Sequence, residues 1–169
     1  MTHSASATVR AAVLHTPPKR LVCTVSHPVE EGRAFADELR ASGLAVELVE
    51  DEDALAELAG ASLLLVGADT VFRDGTLCNK IGTRTLAKAA AEQEAPTIVA
   101  CEVIKLAPIE SAKARELPRE VGELFDLTPP ELVHAVVTEE GTVPSEEVHA
   151  LVDRTPFLRE GYALLGRTP

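Results

Sequence analysis

The sequence predicts an α/β domain, a doubly wound and mostly parallel sheet with helices on both faces. Short apolar, β-branched runs alternate with segments of helical periodicity, and the connections between them are short. Aromatic residues supply only 3% of the chain and Trp is absent, so Val, Leu and Ala must pack the interior. That composition suits parallel strands buried between helices. At 169 residues the chain fits a single domain, 1–169, with a sizeable core.

Taken in order, residues 5–14 are rich in Ala and Val and read as a helix. It follows the exit of a first strand whose body lies outside the chain. Residues 20–25 form a β-branched run after Pro17-Pro18 and read as a strand. Over 30–42, Phe35, Ala36 and Leu39 recur at helical spacing, and Gly43 supplies a helix stop. Residues 44–49 read as a strand, 51–58 as a short acidic helix and 62–67 as a buried strand. Asp74-Gly75 signals a hairpin between Val71-Phe72 and Thr76-Leu77. An Ala-rich helix is expected over 81–92 and a strand over 97–101. Beyond Pro108 the pattern loosens, with a charged stretch over 110–120. Asp126 to Pro130 reads as the start of a short helix capped by Thr128. Val136-Val137 suggests one more strand, and Pro144-Ser145 opens a final helix.

The formal net charge of −11 disfavours nucleic-acid backbones and anionic membranes as partners, while leaving room for a small phosphorylated metabolite. Cys23, Cys78 and Cys101 are isolated, which suits free thiols in a reducing compartment. No apolar run reaches membrane-spanning length, so a cytoplasmic protein is expected. The histidines show no metal-ligand spacing, and neither a metal nor a cofactor is expected.

Candidate chemistry gathers at the carboxyl ends of the expected strands, where open α/β sheets bind ligands. Asp69 follows the apolar run ending in Gly67, and is either a turn aspartate or a carboxylate facing a pocket. Asn79 and Lys80 return to the same edge after the hairpin. Placed at a helix start, Lys80 is either a solvated lysine or the partner of a bound anion that the free N–H groups also hold. Gly82 would let a ligand approach the backbone, and Thr83 adds a hydroxyl. Ser4 and Ser6 are either helix caps or holders of phosphate oxygens, and His3 reads as structural. Glu102 either pairs with Lys105 or faces the pocket.

Together GAD, DG, NKIGT, VACEVIK, DLTPPELV and VVTEEG resemble, in order and spacing, one known family. Its members are the regulatory subunits of translation initiation factor 2B and the isomerases of methylthioribose-1-phosphate and ribose-1,5-bisphosphate. The resemblance runs from Thr2-His3-Ser4 to about Val143. It implies a Rossmann-like domain, a sugar-phosphate or nucleoside-monophosphate pocket, and homodimers or hetero-oligomers with related subunits. Residues 126–169 are expected near that interface. It further implies that Asp69 matches the isomerases' acid/base aspartate and that Asn79 and Lys80 match their substrate-binding pair. Ser4 stands where the isomerases carry a catalytic cysteine, and the family's N-terminal helical domain is absent from the chain.

A serine hydroxyl does not exchange protons near neutrality without an activating base, whereas a thiol does. The leading expectation is therefore a non-catalytic domain of the initiation-factor type that binds a sugar phosphate or nucleoside monophosphate and self-associates. The alternative is an aldose–ketose isomerase using Asp69, with Ser4 or a nearby thiol in the cysteine's place. A third is a structural subunit with a vestigial pocket.

Overall fold

The computed structural model describes residues 1–113 and 122–164. Helix α1 (Ala7–His15) leads to strand β1 (Leu21–Thr24), helix α2 (Glu31–Ala41), strand β2 (Val46–Val49) and short helix α3 (Ala54–Leu58). Strand β3 (Leu64–Val66) precedes the hairpin of β4 (Thr70–Phe72) and β5 (Leu77–Lys80). Helix α4 (Thr83–Glu92), β6 (Thr97–Ala100) and β7 (Leu106–Ala107) follow. The chain is completed by β8 (Phe125–Thr128), β9 (Ala135–Thr138), β10 (Gly141–Pro144), α5 (Val148–Asp153) and α6 (Pro156–Leu164). Most of the charged 110–120 stretch lies outside the described residues.

The first two residues complete the main sheet. Thr2 donates to Val22 O at 2.8 Å and accepts from Thr24 N, while Met1 O accepts from Leu65 N at 2.9 Å. Residues 1 and 2 thus lie between β1 and β3, and the strand order reads β2, β1, residues 1–2, β3, β6, β9, β10. All these pairings are parallel except β9 with β10. The chain winds outward through β1 and β2, then crosses back to β3 on the other side. The order of strands therefore reverses beside residues 1–3, which is where doubly wound sheets open a ligand crevice.

Alternation along the strands divides the core between two faces. Leu21, Cys23 and Leu65 pack with α1 and α2, through Val9, Val13, Phe35, Ala36 and Leu39. Val22, Leu64, Val66 and Val99 pack against Leu58, Leu86, Ala87, Ala90 and Leu151 on the opposite face. Helices on both faces bear out the expected fold class.

A smaller sheet in the order β7-β4-β5-β8 leans off the main one. Its Asp74-Gly75 turn forms as expected: Gly75 adopts φ +81°, and Asp74 accepts from the N–H groups of Thr76 and Ser111. Two expectations fail here. Residues 125–128 form strand β8 instead of a capped helix, because their backbone pairs with β5 in the register Asn79↔Asp126 and Lys80↔Phe125. Only residues 130–132 make a helical turn. The same pairing puts Asn79 and Lys80 at a strand end, so α4 begins at Thr83 and not at residue 81.

Within the segment expected near an interface, Val136, Val143, Val148, Leu151, Val152 and Leu158 are buried in the domain's own core. Phe157 remains 49% exposed.

At the start of α2 the helix presses on the end of β1. A Cβ on Gly32 would lie 1.8 Å from Thr24 O, an impossible approach. Gly32→Ala is expected to destabilise the fold by about 2 kcal/mol or more, through backbone displacement. Denaturant unfolding of the two proteins measures this.

Candidate functional site

The carboxyl ends of the strands carry a polar cleft of about 210 Å³, whose walls include Ser4, Ser6, Asp69, Asn79, Glu102 and Lys105. A larger and mainly apolar cavity of about 670 Å³ lies at the amino ends of β1 and β3. The smaller cleft is the chemically equipped one, because six of the expected polar side chains converge there.

Ser4 occupies the left-handed backbone region at φ +67°, uncommon for a residue with a side chain. A buried hydrogen-bond chain holds it there. Its N–H donates to Ser26 Oγ at 2.8 Å. Ser26 Oγ lies 2.8 Å from Thr24 Oγ1, which lies 2.7 Å from His3 Nδ1. His3 Nε2 lies 2.8 Å from Ile81 O, and a carbonyl only accepts. Nε2 is therefore the protonated nitrogen in the neutral ring, Nδ1 accepts from Thr24, and Ser26 donates to Thr24. Burial pushes the His3 pKa down, which keeps the ring neutral. Asp51 anchors the chain's far end by accepting from Ser26 N and His27 N at 2.7 and 2.8 Å. His3 is structural, in agreement with the sequence reading.

Ser4 Oγ donates to Glu31 Oε1 at 2.5 Å, and Lys80 Nζ pairs with the same oxygen at 2.9 Å. Burial pushes the Glu31 carboxyl up, but hydrogen bonds from Lys80 and Ser4 and the ammonium charge outweigh it and pull it down. Asp69 behaves oppositely. Burial raises its pKa, Lys105 and Lys80 hold the rise in check, and the Glu31 charge adds to it. Two carboxylates pushed in opposite directions in one site suit an acid and a base.

Several site residues serve each other more than the cleft. Lys80 is 5% exposed, and its ammonium is engaged by Glu31. Thr83 is fully buried, donates to Lys80 O at 2.6 Å and accepts from Asn79 Nδ2 at 3.0 Å. That bond turns the Asn79 amide and leaves its oxygen and second N–H unused. Gly82 adopts φ +104°, and a Cβ there would lie 3.1 Å from His3 Nε2, so the missing side chain makes room for the ring.

The start of α4 is not an open anion site. Asp126 from β8 accepts from Gly82 N at 2.8 Å and from Arg84 N at 3.2 Å. The protein's own carboxylate occupies the place that a ligand anion was expected to take. Lys105 is the remaining cation on the cleft wall. Among the described residues Glu102 and Lys105 form no ion pair, and both line the cleft.

The thiols offer no replacement for Ser4. None lines the cleft, and burial pushes Cys23 up to about 12, Cys78 to about 11 and Cys101 to about 12. They stay protonated and inert near neutrality. No group of residues suited to holding a metal occurs among the described residues. No described helix is long and apolar enough to cross a membrane.

Sequence reasoning missed Glu31 and Asp126. Glu31 sits in an acidic first turn that reads as ordinary helix capping, although its place just after a strand's carboxyl end was a usable signal. Asp126 was hidden by the mistaken helix.

The fold and its cleft define a doubly wound α/β domain with a polar crevice at the switch point. The chain belongs to the Initiation factor 2 subunit family, whose model matches residues 1–122. The ribose 1,5-bisphosphate isomerase of Archaeoglobus fulgidus is 32% identical over 96% of this chain and 58% of its own length. The structure of Pyrococcus horikoshii translation initiation factor eIF-2B superposes with a TM-score of 0.76 at 35% identity, covering 85% of this chain and 57% of that one. The 5-methylthioribose 1-phosphate isomerase of P. horikoshii shares the fold, with a TM-score of 0.78 at 22% identity, covering 90% and 53%. The chain thus spans little more than half the length of these relatives.

The raised Asp69 pKa fixes a stability prediction. The folded chain binds more protons than the unfolded one between the two pKa values, so stability falls as pH rises through that window. Asp69→Asn removes the charge penalty, and its Tm should exceed wild type by about 1–3 °C at neutral pH. Calorimetric melts should show that gain disappearing near about pH 3, where the carboxyl is protonated in both states.

Proposed function

We propose that the cleft binds a phosphorylated pentose of the ribose 1,5-bisphosphate class. The convergence of Ser4, Ser6, Asp69, Asn79, Glu102 and Lys105 on one cleft of about 210 Å³ carries this reading. Carboxylates and the Asn79 amide suit the hydroxyls of a sugar. Lys105 supplies a cation for a phosphate, and the backbone at the start of α1 lies on the same wall. The net charge of −11 favours a small anion held by local donors over a polyanion. Identity with an isomerase of ribose 1,5-bisphosphate supports the ligand class.

A second reading, aldose–ketose isomerisation of that ligand, draws support from the opposed carboxylates. Asp69 is pushed toward holding a proton and Glu31 toward releasing one. The Ser4–Glu31 contact also supplies the base that a serine in this position lacks by itself. A nucleoside monophosphate is the competing ligand, and a non-catalytic binding role is the competing outcome.

Titration calorimetry with ribose 1,5-bisphosphate, methylthioribose 1-phosphate and AMP tests the reading. The bisphosphate should bind most tightly. Lys105→Ala should weaken it about 10- to 100-fold, the worth of a charge-assisted hydrogen bond. Undiminished binding to that variant would remove Lys105 from the site, and no binding of any of the three would remove the proposal.

The domain is further proposed to act in the cytoplasm and to self-associate or pair with related subunits. Three buried, unpaired thiols and the exposed Phe157 of α6 support these statements. Light scattering over a concentration series should give a dimer or larger species, and Phe157→Glu should shift it toward monomer.

A further inference from the structure

The hydroxyl protons of the cleft can be assigned one by one. Thr8 Oγ1 donates to Ala100 O at 2.6 Å, so in the 2.9 Å pair of Ser6 and Thr8 the donor is Ser6. Ser6 Oγ also accepts from Val9 N. Ser4 spends its only proton on Glu31. A hydroxyl carries one donor and two acceptor sites, so both serines meet a ligand as acceptors. A phosphate oxygen, itself an acceptor, gains nothing from either. The Glu31 charge behind Ser4 repels it further. A sugar hydroxyl, which donates, fits.

Glu31 cannot easily turn away from this duty. Its neighbour Gly32 packs so close to the end of β1 that even a Cβ would not fit beside Thr24 O, and Oε1 is shared by Ser4 and Lys80. Its other oxygen, Oε2, is buried without a hydrogen-bond partner among the described residues. Ser4 is equally fixed, at φ +67° with its N–H on Ser26.

We propose that Glu31 is a positioning residue acting through Ser4: it commits Ser4 Oγ to accept from one hydroxyl of the bound sugar, and receives the Ser4 proton when that hydroxyl ionises. This rests on the reading of the cleft as a phosphorylated-pentose site with isomerase chemistry. In the step, the ligand O–H bond breaks and its proton bonds to Ser4 Oγ. The original Ser4 O–H bond breaks at the same time, and that proton bonds to Glu31. Ser4 ends as a hydroxyl, one negative charge passes from Glu31 to the ligand oxygen, and no electron is gained or lost by redox. Oxidation of a hydroxyl carbon to a carbonyl in an aldose–ketose exchange needs such a proton sink. Asp69 lines the same cleft and stays available to the opposing oxygen of the ligand.

The charged and titratable groups that face Glu31 are Lys80 from β5, Asp69 after β3 and His3, so a pH effect must be separated from theirs. The test combines calorimetry with turnover of ribose 1,5-bisphosphate across pH. E31Q is expected to bind within about threefold of wild type while kcat falls at least about 100-fold and the acidic limb of the profile flattens. S4A should lose a similar factor, and the double variant should lose no more than either single one, because the two act as a unit. E31D, which keeps a base, should recover part of the loss, and carries the test with S4A if E31Q fails to fold.

Wild-type kcat and profile in E31Q would overturn the relay, as would independent, multiplying losses in the double variant. A wild type that binds the bisphosphate without ever turning it over overturns the relay and leaves the binding site standing. A wild type that binds no sugar phosphate removes the site itself, and the relay with it.

Discussion

Ser4 is the residue on which the geometry of this edge depends. Its backbone sits in a conformation that side chains rarely adopt, and a chain of buried polar groups holds it there. The chain runs through Ser26, Thr24 and His3 to the carbonyl of Ile81, linking three separate pieces of the sheet edge. Each link has one donor and one acceptor, so the tautomer of His3 and the direction of every bond are fixed together. Such a network is costly to break at any point, because the remaining polar groups stay buried and unpaired. It aims the Ser4 hydroxyl at Glu31 and away from its own backbone.

The site follows from the winding of the sheet. Residues 1–2 fill the slot between β1 and β3, and the strand order reverses around them. The segments after residues 1–2, β3 and β6 therefore diverge there, leaving Ser4, Asp69, Glu102 and Lys105 around one hollow, with Glu31 at the start of α2 behind Ser4. The small sheet adds Asn79 from the carboxyl end of β5, with Lys80 beside it paired to Glu31, and Asp126 from β8 closes the start of α4. Negative groups dominate the hollow, and they are kept from mutual repulsion by two lysines with different duties. Lys80 serves Glu31 in the interior, and Lys105 stands on the cleft wall.

Membership of the Initiation factor 2 subunit family covers both proteins that isomerise sugar phosphates and proteins named for translation. One fold hosts both, so the difference must lie in particular side chains and in what surrounds the domain. Here Ser4 does not stand alone, because its hydroxyl donates to the Glu31 carboxylate.

The alternation of apolar runs with helical segments determined the fold class, because period and burial are written locally in the residues that must be dry. Asp69, Ser4, Glu102 and Lys105 were legible as candidates for a related reason: each lies beyond the carboxyl end of a strand or of residues 1–2, and strands of such a sheet end on one side, while Asn79 was legible from its return to that edge after the hairpin. The role of Lys80, the capping of α4 and the strand at 125–128 were not legible. Those depend on pairing between β5 and β8, whose partners lie more than forty residues apart in sequence. Nothing in the local pattern Asp-Leu-Thr-Pro distinguishes a helix cap from an edge strand, and only the open edge of β5 decides it. Glu31 was hidden likewise, since an acid in a helix's first turn looks the same whether it faces water or a serine. Tertiary structure alone brought Ser4 and Lys80 to its carboxylate, by folding three distant segments onto one corner of the sheet.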